Sequence, residues 1–197
     1  MNFFFKQKNK KRTGGFTLIE TLVAISIFSM SILSMMVLLG KGIADTSYAK
    51  NKIIATYLAQ EGVEYLRNMR DTFVLYDSSG AQNGWNAFQV KISPCDITTD
   101  PTQSCYFNDQ NLIYNDPIQP MTGIAINTCS GTCPQFLYDS ATGRYNYASG
   151  VNSGFIRKTQ VTQVSPNETK ILSTVYWTQA LSTYQVTFSE NLFNWIE

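Results

Sequence analysis

One stretch limits what this chain can become more than any other. Lys6, Lys8, Lys10, Lys11 and Arg12 precede Gly15 with no acidic residue among them, and the 24 residues from Phe16 to Leu39 then carry a single charge, Glu20. The chain changes solvent at this point. A helix of that length, at about 1.5 Å rise per residue, is about 36 Å long and crosses the roughly 30 Å of a hydrocarbon core. A secretory signal has an apolar core of about 7 to 15 residues with a small-residue cleavage site after it. Here the apolar core is longer, and the Gly14-Gly15 pair lies before it. A cut on that side leaves the helix on the mature protein. By the positive-inside rule the basic leader stays in the cytoplasm and everything beyond the helix is exported.

Glu20 is the misplaced charge. A carboxylate costs about 3 kcal/mol at the middle of a bilayer and less near its edge, so it calls for a partner or a function. Phe16 lies about one helical turn before it. If the chain is cut after Gly15, the new amine of Phe16 becomes a cation close to Glu20, or to the Glu20 of a neighbouring helix.

These residues, Gly15-Phe16-Thr17-Leu18-Ile19-Glu20 followed by Thr21-Leu22-Val23-Ala24, resemble the start of the type IV pilin family: a basic leader ending in glycine, then Phe-Thr-Leu-Ile-Glu and an apolar helix. The resemblance implies that a membrane-embedded prepilin peptidase cuts between Gly15 and Phe16 and that the Phe16 amine is N-methylated. It also implies that Glu20 guides packing into a filament by pairing with the Phe16 amine of another subunit. Tyr57 to Asp71 and the terminal Leu192-Phe193-Asn194-Trp195 look like the corresponding parts of minor pilins of the pilus-modification type.

Four segments follow: a leader (1–15), a transmembrane or filament-core helix (16–39), an amphipathic continuation (40–71) and a globular head (72–197). Gly40 and Gly42 weaken the helix by about 1 kcal/mol each and offer a place to bend. Beyond them Ile54, Leu58, Leu66 and Met69, with Tyr57 and Tyr65, recur at three- and four-residue spacings against polar Lys52, Gln60, Glu64, Arg67 and Asn68. If continuous from Phe16 to about Arg70, the rod is on the order of 80 Å long.

In the head, Asn83-Gly84 reads as a turn and Trp85 to Ile92 as a short strand. From Ser93 to about Gly150 the chain is rich in turn formers and reads as loop, with brief apolar pieces at Tyr106-Phe107, Leu112-Ile113-Tyr114 and Phe136-Leu137-Tyr138. Phe155 to Val164, Ile171 to Thr178 and Tyr184 to Glu190 alternate with period two and predict an antiparallel meander. The fold class is therefore α+β, a long N-terminal helix on a C-terminal antiparallel sheet, as the pilin resemblance also implies.

Cys95, Cys105, Cys129 and Cys133 all fall in the exported part, where an even count reads as disulfides. Three pairings are possible. Cys95 with Cys105 and Cys129 with Cys133 is preferred, since both spacings close short loops, each worth about 2 to 3 kcal/mol. A four-cysteine zinc site is the alternative.

Removing the leader leaves ten basic against fourteen acidic residues, a net charge of −4, which argues against nucleic acid as a partner. The absence of histidine excludes Ser-His-Asp and Cys-His arrangements, and no phosphate-cradling loop or nucleophile elbow is present. Asp96, Asp100, Asp109 and Asp116 supply oxygen ligands of the kind calcium takes, though not at a calcium-loop spacing. Tyr106, Tyr114, Tyr138, Tyr145 and Tyr147 offer aromatic contacts to a surface, a glycan or a sibling subunit.

The reading is a minor pilin or pseudopilin, not an enzyme and needing no cofactor. Its partners are prepilin peptidase, other pilin subunits, the pilus assembly platform and the membrane, and its destination is a filament at the cell surface. Its rivals are a pseudopilin of a type II secretion or DNA-uptake system, a membrane-tethered binding protein that never assembles, and an exported enzyme.

Overall fold

A computed structural model describes residues 14–98, 100–108 and 125–194. The leader's basic residues, Asp109, Leu112-Ile113-Tyr114, Asp116 and Trp195 lie outside them. The chain divides into two units, Met1–Ser47 and Tyr48–Glu197.

In the first unit the long helix α1 (Leu18–Tyr76) begins, and every described residue of the unit is exposed. Serine and threonine inside the apolar run turn their hydroxyls back on the helix: Ser26 donates to the Leu22 carbonyl and Ser31 to that of Ile27, both at 2.8 Å. These polar groups are thus satisfied without water, as lipid or a helical bundle requires. By length and composition α1 is the one described helix able to cross a membrane. It keeps helical geometry through Gly40 and Gly42 and runs on to Tyr76, beyond the expected end near Arg70.

The second unit is a helix-on-sheet head. Ala55, Leu58-Ala59, Gly62-Val63, Tyr65-Leu66 and Met69 of α1 are buried at the helical period, whereas Tyr57 is 68% exposed. A second helix, α2 (Ala81–Ile92), occupies the segment expected to be a strand. Two periods compete there. Phe88, Val90 and Ile92 alternate, but Trp85, Phe88 and Ile92 recur at three and four, and it is these that are buried, leaving Val90 74% exposed. Gly84 is likewise no turn residue. A Cβ there would come within 2.2 Å of the Phe73 carbonyl oxygen, so glycine lets α2 close against the end of α1. Trp85 Nε1 donates to the Pro166 carbonyl at 2.8 Å and Gln89 to Thr169 at 2.6 Å, which fastens α2 to the sheet.

The presumed loop region also contains sheet. After a 3₁₀ turn (Ser93–Cys95) come β1 (Gln103–Tyr106), β2 (Asn127–Ser130), β3 (Gln135–Asp139) and β4 (Arg144–Asn146), none longer than five residues. The long meander follows as expected: β5 (Val151–Ser165), β6 (Glu168–Gln179) and β7 (Ser182–Phe193). All the described pairings between strands are antiparallel. On one side of β5 lie β1, carrying β2, and β3, carrying β4; on the other lie β6 and then β7.

One apolar cluster joins Leu66 and Met69 of α1 to Trp85, Phe88 and Ile92 of α2 and to Val161, Ile171 and Leu192 of the meander. The other joins Ala55, Leu58 and Ala59 to Phe136, Phe155, Val175 and Trp177. Burying a large apolar side chain contributes about 2 kcal/mol, so this packing, more than helix propensity, holds the second half of α1.

Candidate functional site

The residues before α1 are not helical, and Gly14, Gly15 and Phe16 are exposed, Phe16 by 85%. Among the described residues nothing lies within 4 Å of where a Cβ would stand on Gly14 or Gly15. Thr17 then caps the helix. The Glu20 carboxylate accepts from the Thr17 amide at 2.9 Å and from its hydroxyl at 2.8 Å, while the Glu20 amide donates to Thr17 Oγ1 at 3.3 Å. This is a capping box, threonine at the N-cap and glutamate three residues on. It satisfies two of the amides that a helix start leaves bare, and it sets the acid where the helix dipole favours negative charge.

The pattern Thr17-x-x-Glu20 before an apolar run is visible in the sequence and explains part of why Glu20 is tolerated. Its partner in this uncut chain is Thr17, one residue past the Gly15–Phe16 bond. The geometry can do no bond-making chemistry by itself. It sets the Glu20 carboxylate at the helix start, about one turn beyond the Gly15–Phe16 bond.

In the head, Cys95 pairs with Cys105 and Cys129 with Cys133. The first bridge ties the 3₁₀ turn to β1 with both cysteines fully buried; the second closes the connection from β2 to β3. The four sulfurs are joined in these two pairs, the pairing preferred from the sequence, and none is free.

The two described loop aspartates stabilise turns. Asp96 accepts from the Thr98 amide at 2.9 Å, and Asp100 from the Thr102 amide at 2.9 Å and hydroxyl at 2.7 Å. Those hydrogen bonds, the hydroxyl's first, hold the Asp100 carboxyl below its ordinary range. Among the described residues no group of three or more His, Cys, Asp or Glu is placed to hold a metal ion.

The tyrosines pack on one another. Tyr106 meets Tyr147 at 5.1 Å between ring centroids, Tyr147 stacks on Phe136 at 4.5 Å, and Tyr138 meets Tyr145 at 5.1 Å. Each is partly buried, filling space beside β3 and β4.

Arg157 was not anticipated. It is fully buried in β5, in phase with Phe155, Thr159 and Val161 on the helix-facing side. That phase was the signal that could have found it. Its guanidinium lies between the rings of Phe107 and Phe136, 4.8 and 4.9 Å from their centroids. It donates to the carbonyls of Leu58 at 3.2 Å and Phe107 at 3.4 Å, with Glu61 at 3.7 Å. Its role is to join the two apolar clusters under α1.

Compared with known families, residues 10–38 match the prokaryotic N-terminal methylation motif. That motif supports a likeness of this N-terminal segment to the type IV pilins and pseudopilins. No curated protein and no solved structure matches it. The matched residues cover the end of the expected leader and nearly all of the apolar half of α1, and the head lies beyond them. The motif indicates a pilin-like precursor, and α1 is long and apolar enough, by length and composition, to serve as its membrane anchor.

Proposed function

We propose that this pilin-like chain is a minor pilin or pseudopilin of the pilus-modification type. It enters the cytoplasmic membrane as a single-pass precursor, is cut by prepilin peptidase between Gly15 and Phe16, and is N-methylated on Phe16. The assembly platform then moves it into a filament or tip complex with other pilin subunits. The observation that carries this reading is the methylation motif lying on an apolar helix that buries none of its described residues before Tyr48. Such a surface is stable only in lipid or against other apolar helices. Cleavage supplies the Phe16 amine, and Glu20, already at the helix start, offers it or a neighbour's amine a carboxylate, which sets the axial register.

Mass spectrometry of sheared surface filaments tests this. The expected result is a peptide starting at methylated Phe16, at low abundance relative to a major subunit. A working form that still begins at Met1, or that never leaves the bilayer, overturns it. Glu20→Ala should abolish incorporation into filaments; a membrane-tethered binding protein would be indifferent to the change.

A further inference from the structure

The edge of the sheet at β7 is unusual. Edge strands are ordinarily blunted by lysine, proline, a bulge or shortness, because their bare main-chain groups invite another strand. β7 pairs with β6 over twelve consecutive positions without a register shift, contains neither lysine nor proline, and has one charge, Glu190, already paired with Arg67.

The pairing fixes which groups are bare. The two-residue turn Ala180-Leu181 makes Gln179 and Ser182 a hydrogen-bonded pair, and alternation along the ladder then commits Tyr184, Val186, Phe188 and Glu190 to β6. Thr183, Gln185, Thr187, Ser189 and Asn191 turn their amides and carbonyls the other way. All five are exposed, and no partner for those main-chain groups occurs among the described residues. At the end of the row the Phe193 carbonyl, of the same parity, accepts from Arg70 at 3.3 Å, as this phase requires.

We propose that this edge is a docking site for an extended segment of a different polypeptide, added to the sheet as an eighth strand. A row of alternating amides and carbonyls at strand spacing is complemented by extended main chain and by little else. Side chains set the occupant's character: apolar residues on its helix-facing side, beside half-buried Val186 and Phe188, and polar ones on the other, beside Thr187 and Gln185.

A second copy fits poorly. Asn51 contacts Gln179, Arg67 contacts Glu190 and Arg70 contacts Phe193, so α1 and β7 run the same way through the head. Antiparallel pairing of two β7 strands would reverse α1 and put the two Tyr48 ends, where the chains enter the head, at opposite ends of the joined sheet. Chains anchored in one membrane enter from one side. A parallel pair turns one sheet over and sets Val186 and Phe188 of one copy beside Thr187 and Gln185 of the other. Among the described residues head-to-tail addition would offer only β2 or β4, of four and three residues. The exclusion of a self-pair rests on the anchored reading above.

The test places a photoreactive benzophenone side chain at Gln185 or Ser189 of the full-length chain in its native host. The same substitution at Gln160, on the outer face of central β5, is the control. The expected result is an adduct from the edge positions with one defined segment of a different protein, at least tenfold weaker from Gln160. Thr187→Pro removes an outward amide without touching the β6 ladder and should abolish the adduct, while Thr187→Val should keep it. An adduct with a second copy or with this chain's own residues 109–124, no adduct, or an adduct indifferent to Thr187→Pro overturns the proposal. The N-terminal mass of the same preparation reports processing at Gly15 separately, so the two readings can fail independently.

Discussion

Arg157 is where the energetics of the head can be dissected. Three kinds of interaction converge on its guanidinium: two rings, two carbonyls and the Glu61 carboxylate. Glu61 is 45% exposed and 3.7 Å away, so its ion pair is worth under about 1 kcal/mol. A desolvated cation against aromatic faces is worth about 2 kcal/mol, and the volume of the side chain matters in addition. In a fragment beginning at Tyr48, which contains both apolar clusters, urea denaturation should therefore show Arg157→Ala destabilised by about 3 to 4 kcal/mol. Arg157→Met, which keeps the volume, should lose about 1 to 2 kcal/mol, and Glu61→Gln less than about 0.5 kcal/mol. A Glu61→Gln loss as large as that of Arg157→Ala would make the ion pair dominant instead. Gly84→Ala tests a second residue: a Cβ 2.2 Å from the Phe73 carbonyl must push α2 away, at about 2 to 3 kcal/mol in the same assay. Both residues were hard to see in the sequence for one reason. Their importance depends on what sits opposite, and neither a strand arginine nor an Asn-Gly pair declares its neighbour.

At the scale of elements, legibility followed length. β5, β6 and β7 run to twelve residues or more, long enough for period two to stand out. The apolar half of α1 was equally plain, because a solvent change needs no partner to be recognised. β1 to β4 are short; β1 and β3 pair with the long β5, and β2 and β4 pair in turn with them, so local pattern could not reveal them. The disulfides act on this weaker region, and loop closure ranks them. The Cys95–Cys105 bridge, separated by ten residues, should contribute about 2.5 kcal/mol, and Cys129–Cys133, separated by four, about 2 kcal/mol. Replacing the first pair with serine also puts two hydroxyls where both positions are fully buried, adding to the loss. Thermal unfolding should thus rank wild type above Cys129→Ser/Cys133→Ser, and that above Cys95→Ser/Cys105→Ser. The reverse order would mean that the connection from β2 to β3, rather than the 3₁₀ turn on β1, limits stability.

For the whole molecule, charge is the property that processing changes most. The precursor has fifteen basic and fourteen acidic residues and an isoelectric point near 7.6. A third of the basic residues stand in the leader, which has no acid to offset them, so a cut after Gly15 moves the net charge from +1 to −4. N-methylation leaves the new amine cationic and does not restore the balance. On the proposed reading the leader's charge favours its retention on the cytoplasmic side while the remainder keeps its acidic balance, so a single bond would separate the part that sets orientation from the head. Isoelectric focusing of the chain from its native host should show the mature form well on the acidic side of 7.6. In cells lacking prepilin peptidase it should stay near the precursor's value. The same shift follows if methylation is blocked but cleavage is not, which separates the two steps. A chain that focuses near 7.6 in both backgrounds retains its leader, and its Glu20 then has only Thr17 to answer it.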